Sequence, residues 1–359
     1  MTSGCRRLAT VKSIYSDMMI DVKETTGAGG RSAARLRRDR RTPAQPGAVR
    51  HNLPVRAMAV VAMGGALGAV IACSSPRTPT SATAVAAAPP PASAPVDPAR
   101  IPVGDGKLVT ANPRPGYLLV CAIPTSTNPP GRAPWIGSDG TWDSTAKVAV
   151  QGSVAWPSQF NVSLLGALVA IAGNGLPSHV TGVFPIARGS DPAAQYDGNP
   201  NTIRVNPINW DLPANPQVNT TPTCTTLGAI GVLLSGARLY NASDADGRDA
   251  VAHEVQDACD GHPQNAGQYH YHNVSRCLSD ARLPTGHSAL VGYAADGFGV
   301  YGNRGVGGVS LTNADLDECH GHAHDVTADG VTATRYHYHA TREFPYTVGC
   351  FRGTPVPIR

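Results

Sequence analysis

The chain has 359 residues, with 29 Lys and Arg against 25 Asp and Glu, 12 His, 8 Cys, 39 Gly and 31 Pro. Its net charge of +4 is unevenly placed: residues 1–72 hold 12 of the basic and 4 of the acidic residues, leaving 17 against 21 beyond them. That remainder is mildly acidic and has only two lysines, Lys107 and Lys147, so it offers no electrostatic basis for binding nucleic acid.

The first element in chain order is an apolar run, Ala57 to Ala72 (AMAVVAMGGALGAVIA), preceded by Arg50 and Arg56. It is short for a membrane span but suits the apolar region of a secretory signal. It ends in Val70-Ile71-Ala72-Cys73, which resembles the cleavage box of bacterial lipoproteins and implies cleavage before Cys73 with lipid attached there. Two or more acyl chains would make a stable anchor to the cell membrane outside the cytoplasm. The alternative is an ordinary signal peptide with an incidental cysteine. Residues 1–48 are long, polar and arginine-rich for a signal, which points to a start at Val49 or Val55. Residues 73–100 then form the lipid-bearing cysteine and a Ser/Thr/Pro/Ala tether with no hydrophobic period.

From Ile101 to Arg359 the chain is long enough for one large domain. Its apolar runs are short: YLLVCAI at 117, KVAVQGSVAW at 147, SLLGALVAIAG at 163, AIGVLL at 229 and LVGYAA at 290. Gly, Pro, Asn and Asp bound most of them, which predicts strands joined by turns. One helix is expected, over 249–258, from the spacing of Val251, Val255 and Ala258. The fold class is therefore mostly β: a Gly- and Pro-rich, disulfide-stabilised single domain.

Within it a unit occurs twice, over 229–278 and 290–351. GVLLSGARLYN begins at Gly231 and GYAADGFGVYG at Gly292, each with Gly at its first and sixth positions and Tyr at its tenth. Ser235-Gly236 and Asp296-Gly297 fall where a hairpin turn needs positive φ. Next comes Asp-x-Cys-x-Gly-His, as DACDGH at 257 and DECHGH at 317. Tyr-His-Tyr-His follows, at 269–272 and 336–339, and then Cys277 or Cys350. A chosen tetrapeptide arises by chance at roughly one position in a million, so the pattern reads as a tandem duplication with its length differences in loops, the longest being DVTADGVTAT at 325. The two copies are expected to pack about a pseudo-twofold axis in one sheet system.

These motifs, together with GNGLPSH at 173 and FPYTVGCFRGTP at 344, resemble the YHYH-domain family over roughly residues 155–353. The resemblance implies an extracytoplasmic protein and brings no established activity with it.

With Cys73 assigned to lipid, six cysteines remain in this part of the chain. An even count outside the cytoplasm reads as disulfides, and equivalent cysteines in the two units should do equivalent things. That pairs Cys259 with Cys277 and Cys319 with Cys350, leaving Cys121 for Cys224. In the competing reading, Cys259 and Cys319 are thiolate ligands beside His262 and His322.

On a strand, His270 and His272 share one face while Tyr269 and Tyr271 take the other, so the motif makes a ligand face and a packing face. His262 supplies a third imidazole in the first unit. His322 does so for His337 and His339 in the second. Each set suits a divalent transition metal, Zn²⁺ or Cu²⁺. Asp257, Asp317, His320 and His324 are possible additions, whereas His179, His253 and His287 look isolated. The four tryptophans (Trp135, Trp142, Trp156, Trp210) read as core.

The alternative is a structural or interaction module whose His/Tyr ladders are hydrogen-bonded core without metal. A third reading is a metal-dependent hydrolase or oxidase, since three ligands leave a position open. No nucleophile elbow, His-Glu-x-x-His, phosphate loop or dinucleotide-binding glycine pattern is present.

Overall fold

The computed structural model of the chain describes residues 94–125, 133–279, 283, 285–328 and 331–358, all within one compact unit. The apolar run 57–72, Cys73 and most of the 73–100 tether lie outside them. Among the described residues, no helix is long and apolar enough to cross a membrane.

Strands dominate, as the composition predicts. Four two-residue strands, β1 (Ile101–Pro102), β2 (Leu108–Val109), β3 (Leu118–Leu119) and β4 (Thr141–Trp142), pair as β1–β4 and β2–β3. The run at 163 belongs to a hairpin, β5 (Phe160–Leu165) and β6 (Leu168–Gly173), which turns at Gly166 (φ +63°) and is completed by β7 (Ile208–Pro213). The strand expected at 147 does not form. Gly152 sits there at φ +121°, and Val150 and Val154 make only isolated bridges.

The remaining strands build one eight-stranded sheet. The first unit gives β8 (Ala229–Leu233), β9 (Arg238–Tyr240), β10 (Gly261–Pro263) and β11 (Tyr269–Tyr271). The second gives β12 (Leu290–Ala294), β13 (Gly299–Tyr301), β14 (Gly321–Ala328) and β15 (Val331–His339). Their order is β10-β11-β9-β8-β12-β13-β15-β14, which reads the same from both edges once the units are exchanged. The registers agree as well: Tyr271 pairs with Leu239 in parallel, as Tyr338 does with Val300. At the centre, Gly231 pairs with Ala294 and Gly292 with Leu233, so exchanging the units maps the Val232–Tyr293 pair onto itself.

The repeated glycines follow from this geometry. A Cβ on Gly231 would lie 2.4 Å from the Tyr293 carbonyl oxygen, and one on Gly292 the same distance from that of Val232. Gly236 and Gly297 turn the two hairpins at φ +90° and +89°. The residues expected to lie in a loop at 325 are strand over 325–328 and 331–334. Asp325 to Ala328 pair with Val331 to Thr334 and lengthen the β14–β15 ladder, as alternating Val and Thr favour.

The helix expected over 249–258 is one turn, α1 (Ala250–His253). Asp249 caps it by accepting from the Val251 and Ala252 amides, and Glu254 leaves it in extended backbone. The Val255 amide donates to Asp197 Oδ2 (3.2 Å) instead of to a helical carbonyl. The core beneath the sheet includes Tyr269, Tyr271 and Tyr338 together with Leu239, Val300 and Phe351. Trp135, Trp142 and Trp210 are buried and Trp156 packs against core, as expected.

Candidate metal centres

The three disulfides are Cys121–Cys224, Cys259–Cys277 and Cys319–Cys350. Cys259 and Cys319 are therefore not thiolate ligands. In each Asp-x-Cys-x-Gly-His segment the Asp organises the turn. Asp257 Oδ1 accepts from the Cys259 and Gly261 amides (2.9 and 3.3 Å), and Asp317 Oδ1 from those of Cys319 and Gly321 (2.9 and 3.0 Å). The same carboxylates accept the first hydroxyl of each run, Tyr269 to Asp257 (2.9 Å) and Tyr336 to Asp317 (3.0 Å). Glycine is needed because a Cβ at Gly261 or Gly321 would lie 2.4 Å from that hydroxyl oxygen. Asp257 and Asp317 thus serve the packing face, and the structure does not bring them to the imidazoles. Burial raises both carboxyls above the usual range.

The ligand face gathers His262, His270 and His272, all buried, with one nitrogen of each within 4.8 Å of the others. His262 is the register partner of His270 across β10–β11. His270 Nε2 and His272 Nε2 are 3.2 Å apart. Their Nδ1 atoms face backbone carbonyls, of Gln268 (3.1 Å) and Asn241 (2.5 Å). A carbonyl only accepts, so each Nδ1 carries a proton, and a ring that is neutral is left with its lone pair on Nε2.

Glu254, which the sequence reading missed, joins this group. Its Oε2 lies 3.0 Å from His272 Nε2 and 3.3 Å from His262 Nε2. Burial acts to raise the Glu254 carboxyl, but His262 and His272 beside it pull it well below the usual range. Burial likewise opposes charge on His272, yet Glu254 outweighs it and raises that imidazole. His270 is held well below its ordinary value, first by burial and then by His262 and His272.

The second group is larger: His287, His322, His324, His337 and His339, again with one nitrogen each within 4.8 Å of the rest. His287, read as isolated, comes from the chain before β12 and touches the rings of His324, His337 and His339 at 4.8–5.3 Å between centroids. His337 Nε2 and His339 Nε2 are 3.1 Å apart. Four Nδ1 atoms face carbonyls: His287 to Ser288 (2.6 Å), His324 to Asp325 (3.0 Å), His337 to Arg335 (3.0 Å) and His339 to Gly302 (2.6 Å). The Nε2 atoms of His287, His322 and His324 are buried without a hydrogen-bond partner. Burial is the first cause that lowers His322 to about 4 and His337 to about 3, and it holds His339 well below the ordinary value.

Three other histidines stand apart from both groups. His320 adopts φ +73°, lies 3.1 Å from the Thr341 hydroxyl, and is lowered to about 3 by burial. His179 Nε2 is 2.6 Å from the Tyr271 hydroxyl, and His253 Nε2 is 2.8 Å from Asp105. His179 also neighbours Cys259 and Cys277, but those sulfurs are bonded to each other.

Fold and site together define a mostly β, disulfide-linked domain that carries two separate imidazole clusters on the flanks of one sheet. Residues 209–310 match the family model described as YHYH protein. The matched span holds the first Tyr-His-Tyr-His run and ends before the second. No curated protein and no solved structure matches the chain.

Proposed function

We propose that the domain binds divalent transition metal ions at its two histidine clusters. The observation that carries this reading is the pair His337 and His339. Both rings have Nδ1 on a backbone carbonyl, so two Nε2 lone pairs face each other at 3.1 Å. Two buried acceptors at that distance repel unless a cation lies between them. Two nitrogens bound to one ion at 2.0–2.1 Å in tetrahedral geometry sit about 3.3 Å apart, which agrees with the spacing. Backbone carbonyls that fix the tautomer and aim of ligand imidazoles are a regular feature of metal sites.

The hydrogen-bonded alternative is favoured at one point only. Glu254, 3.0 Å from His272 Nε2, can support a protonated His272 without any metal. Among the described residues no carboxylate joins the second group as Glu254 joins the first, and Asp315 acts only on His322 at its side. The mirrored sheet order and matching registers support reading the two clusters as products of an internal repeat.

The proposal extends to location. The Ala57–Ala72 run and the Val-Ile-Ala-Cys box support an extracytoplasmic protein anchored through a lipid on Cys73. Fatty-acid labelling lost in Cys73→Ser tests that part; unchanged labelling refutes it. The metal reading is tested by elemental analysis of protein purified without a His tag, with melting temperatures before and after chelation. Absence of transition metal with an unmoved melting temperature refutes it.

A further inference from the structure

Resting on the metal reading above, we infer that the two clusters select different ions: the Glu254 cluster holds Zn²⁺ and the five-imidazole cluster holds Cu²⁺. The donors differ in number and charge. In the first cluster, His270 Nε2 lies 3.2 Å from His272 Nε2, and Glu254 Oε2 lies 3.0 Å from His272 Nε2 and 3.3 Å from His262 Nε2. These approach the edge of about 3.3 Å expected for a tetrahedron of donors at 2.0–2.1 Å. Three imidazoles and one carboxylate fill four positions, the number a closed Zn²⁺ site uses, and the carboxylate offsets one of the two charges. All three histidines are buried there.

Among the described residues the second cluster gathers five imidazoles, with no carboxylate or sulfur inside the group and Asp315 acting on His322 only from beside it. Five nitrogens exceed what tetrahedral Zn²⁺ uses. Among divalent first-row ions, nitrogen donors hold Cu²⁺ most tightly and suit its tetragonal geometry, while the lack of thiolate or thioether disfavours Cu⁺. His322 and His324 are half-buried, as is Glu254 in the first cluster, while the Nε2 atoms of both histidines are buried. The asymmetry resides in single residues. Gln264 stands where the second unit has His324, and the second unit has Ala314 where the first has Glu254.

The test uses tag-free full-length protein stripped of metal, then given one equivalent each of Cu²⁺ and Zn²⁺ and desalted. Copper is kept limiting because any nitrogen site prefers it when it is in excess. Native mass spectrometry should find one ion of each kind, and electron paramagnetic resonance should show copper coupled to several nitrogens. Glu254→Gln should weaken zinc by about tenfold or more and leave copper in place. His287→Gln with His324→Gln should do the reverse. Wild-type protein that distributes both ions equally between the clusters overturns the selectivity while leaving metal binding intact, and that partition needs no variant to fold. Copper lost in Glu254→Gln but kept in the His287/His324 variant overturns it as well. Wild-type protein that retains neither ion removes the metal reading beneath it.

Discussion

His339 Nδ1 donates to the carbonyl of Gly302, the last residue of the second glycine-tyrosine hairpin motif, at 2.6 Å. His272 makes the equivalent bond to Asn241, the last residue of the first, at 2.5 Å. The hairpin motif and the Tyr-His-Tyr-His motif are thus parts of one device. The second strand of each hairpin runs parallel to the histidine strand, and the residue after it supplies the carbonyl that sets the tautomer of the final histidine.

Each histidine pair should therefore account for one ion. His270→Gln with His272→Gln should remove one equivalent of metal, and His337→Gln with His339→Gln the other. Both double variants should melt below wild type when metal is present. Chelation should narrow the gap, because metal binding to the folded state alone is what raises stability. Elemental analysis and thermal melts with and without chelator read both effects. A gap unchanged by chelator would mean the imidazoles act only through hydrogen bonds.

Much of this arrangement was legible in the chain. The alternation of Tyr and His fixed a ligand face and a packing face, and the repeated order of cysteines fixed their pairing. Three things were not legible, each for a physical reason. Glu254 faces His262 and His272 from the extended residue that ends α1 after one turn, and the next amide, of Val255, donates to Asp197, 58 residues away. His287 lies in no repeated motif, and β12 alone carries the chain from it into the sheet. Asp257 and Asp317 were plausible ligands by residue type, yet their backbone turns commit them to amides and to tyrosine hydroxyls on the opposite face.

The glycine before each first histidine should be intolerant of any side chain. In Gly321→Ala the new Cβ would lie 2.4 Å from the Tyr336 hydroxyl and 2.5 Å from the backbone oxygen of His337. The second contact is backbone within the β14–β15 ladder and cannot swing away. A loss of about 3 kcal/mol or more is expected in chemical denaturation. A loss below about 1 kcal/mol would show that the ladder can shift to make room.

Replacing Cys319 and Cys350 together by Ser should destabilise the chelated protein by about 3–4 kcal/mol, from the chain entropy of a 31-residue separation. The corresponding loss for Cys259 and Cys277, 18 residues apart, should be somewhat smaller. Using chelated protein in denaturant titrations separates this term from any change in metal affinity. The opposite ranking would point to native-state strain in place of loop entropy.

The last prediction concerns Lys147, which lines a cleft of about 760 Å³ and contacts the Val251 carbonyl and Gln256 Oε1. Burial lowers its ammonium from 10.5 to about 8, against the pull of Asp260, Asp249 and Glu254. Between those two values the unfolded chain keeps the proton that the folded chain has released, so stability rises with pH across this window. Below about 8 the lysine is charged in both states and the contribution is absent. Lys147→Met, which keeps the stem and removes the amine, has no such term. The stability of wild type relative to Lys147→Met should therefore increase by about 2 kcal/mol from pH 8 to pH 10.5, allowing for partial exposure to the cleft. Paired denaturation curves across that range measure it, and a difference that stays flat or falls with pH would mean the lysine remains charged in the fold.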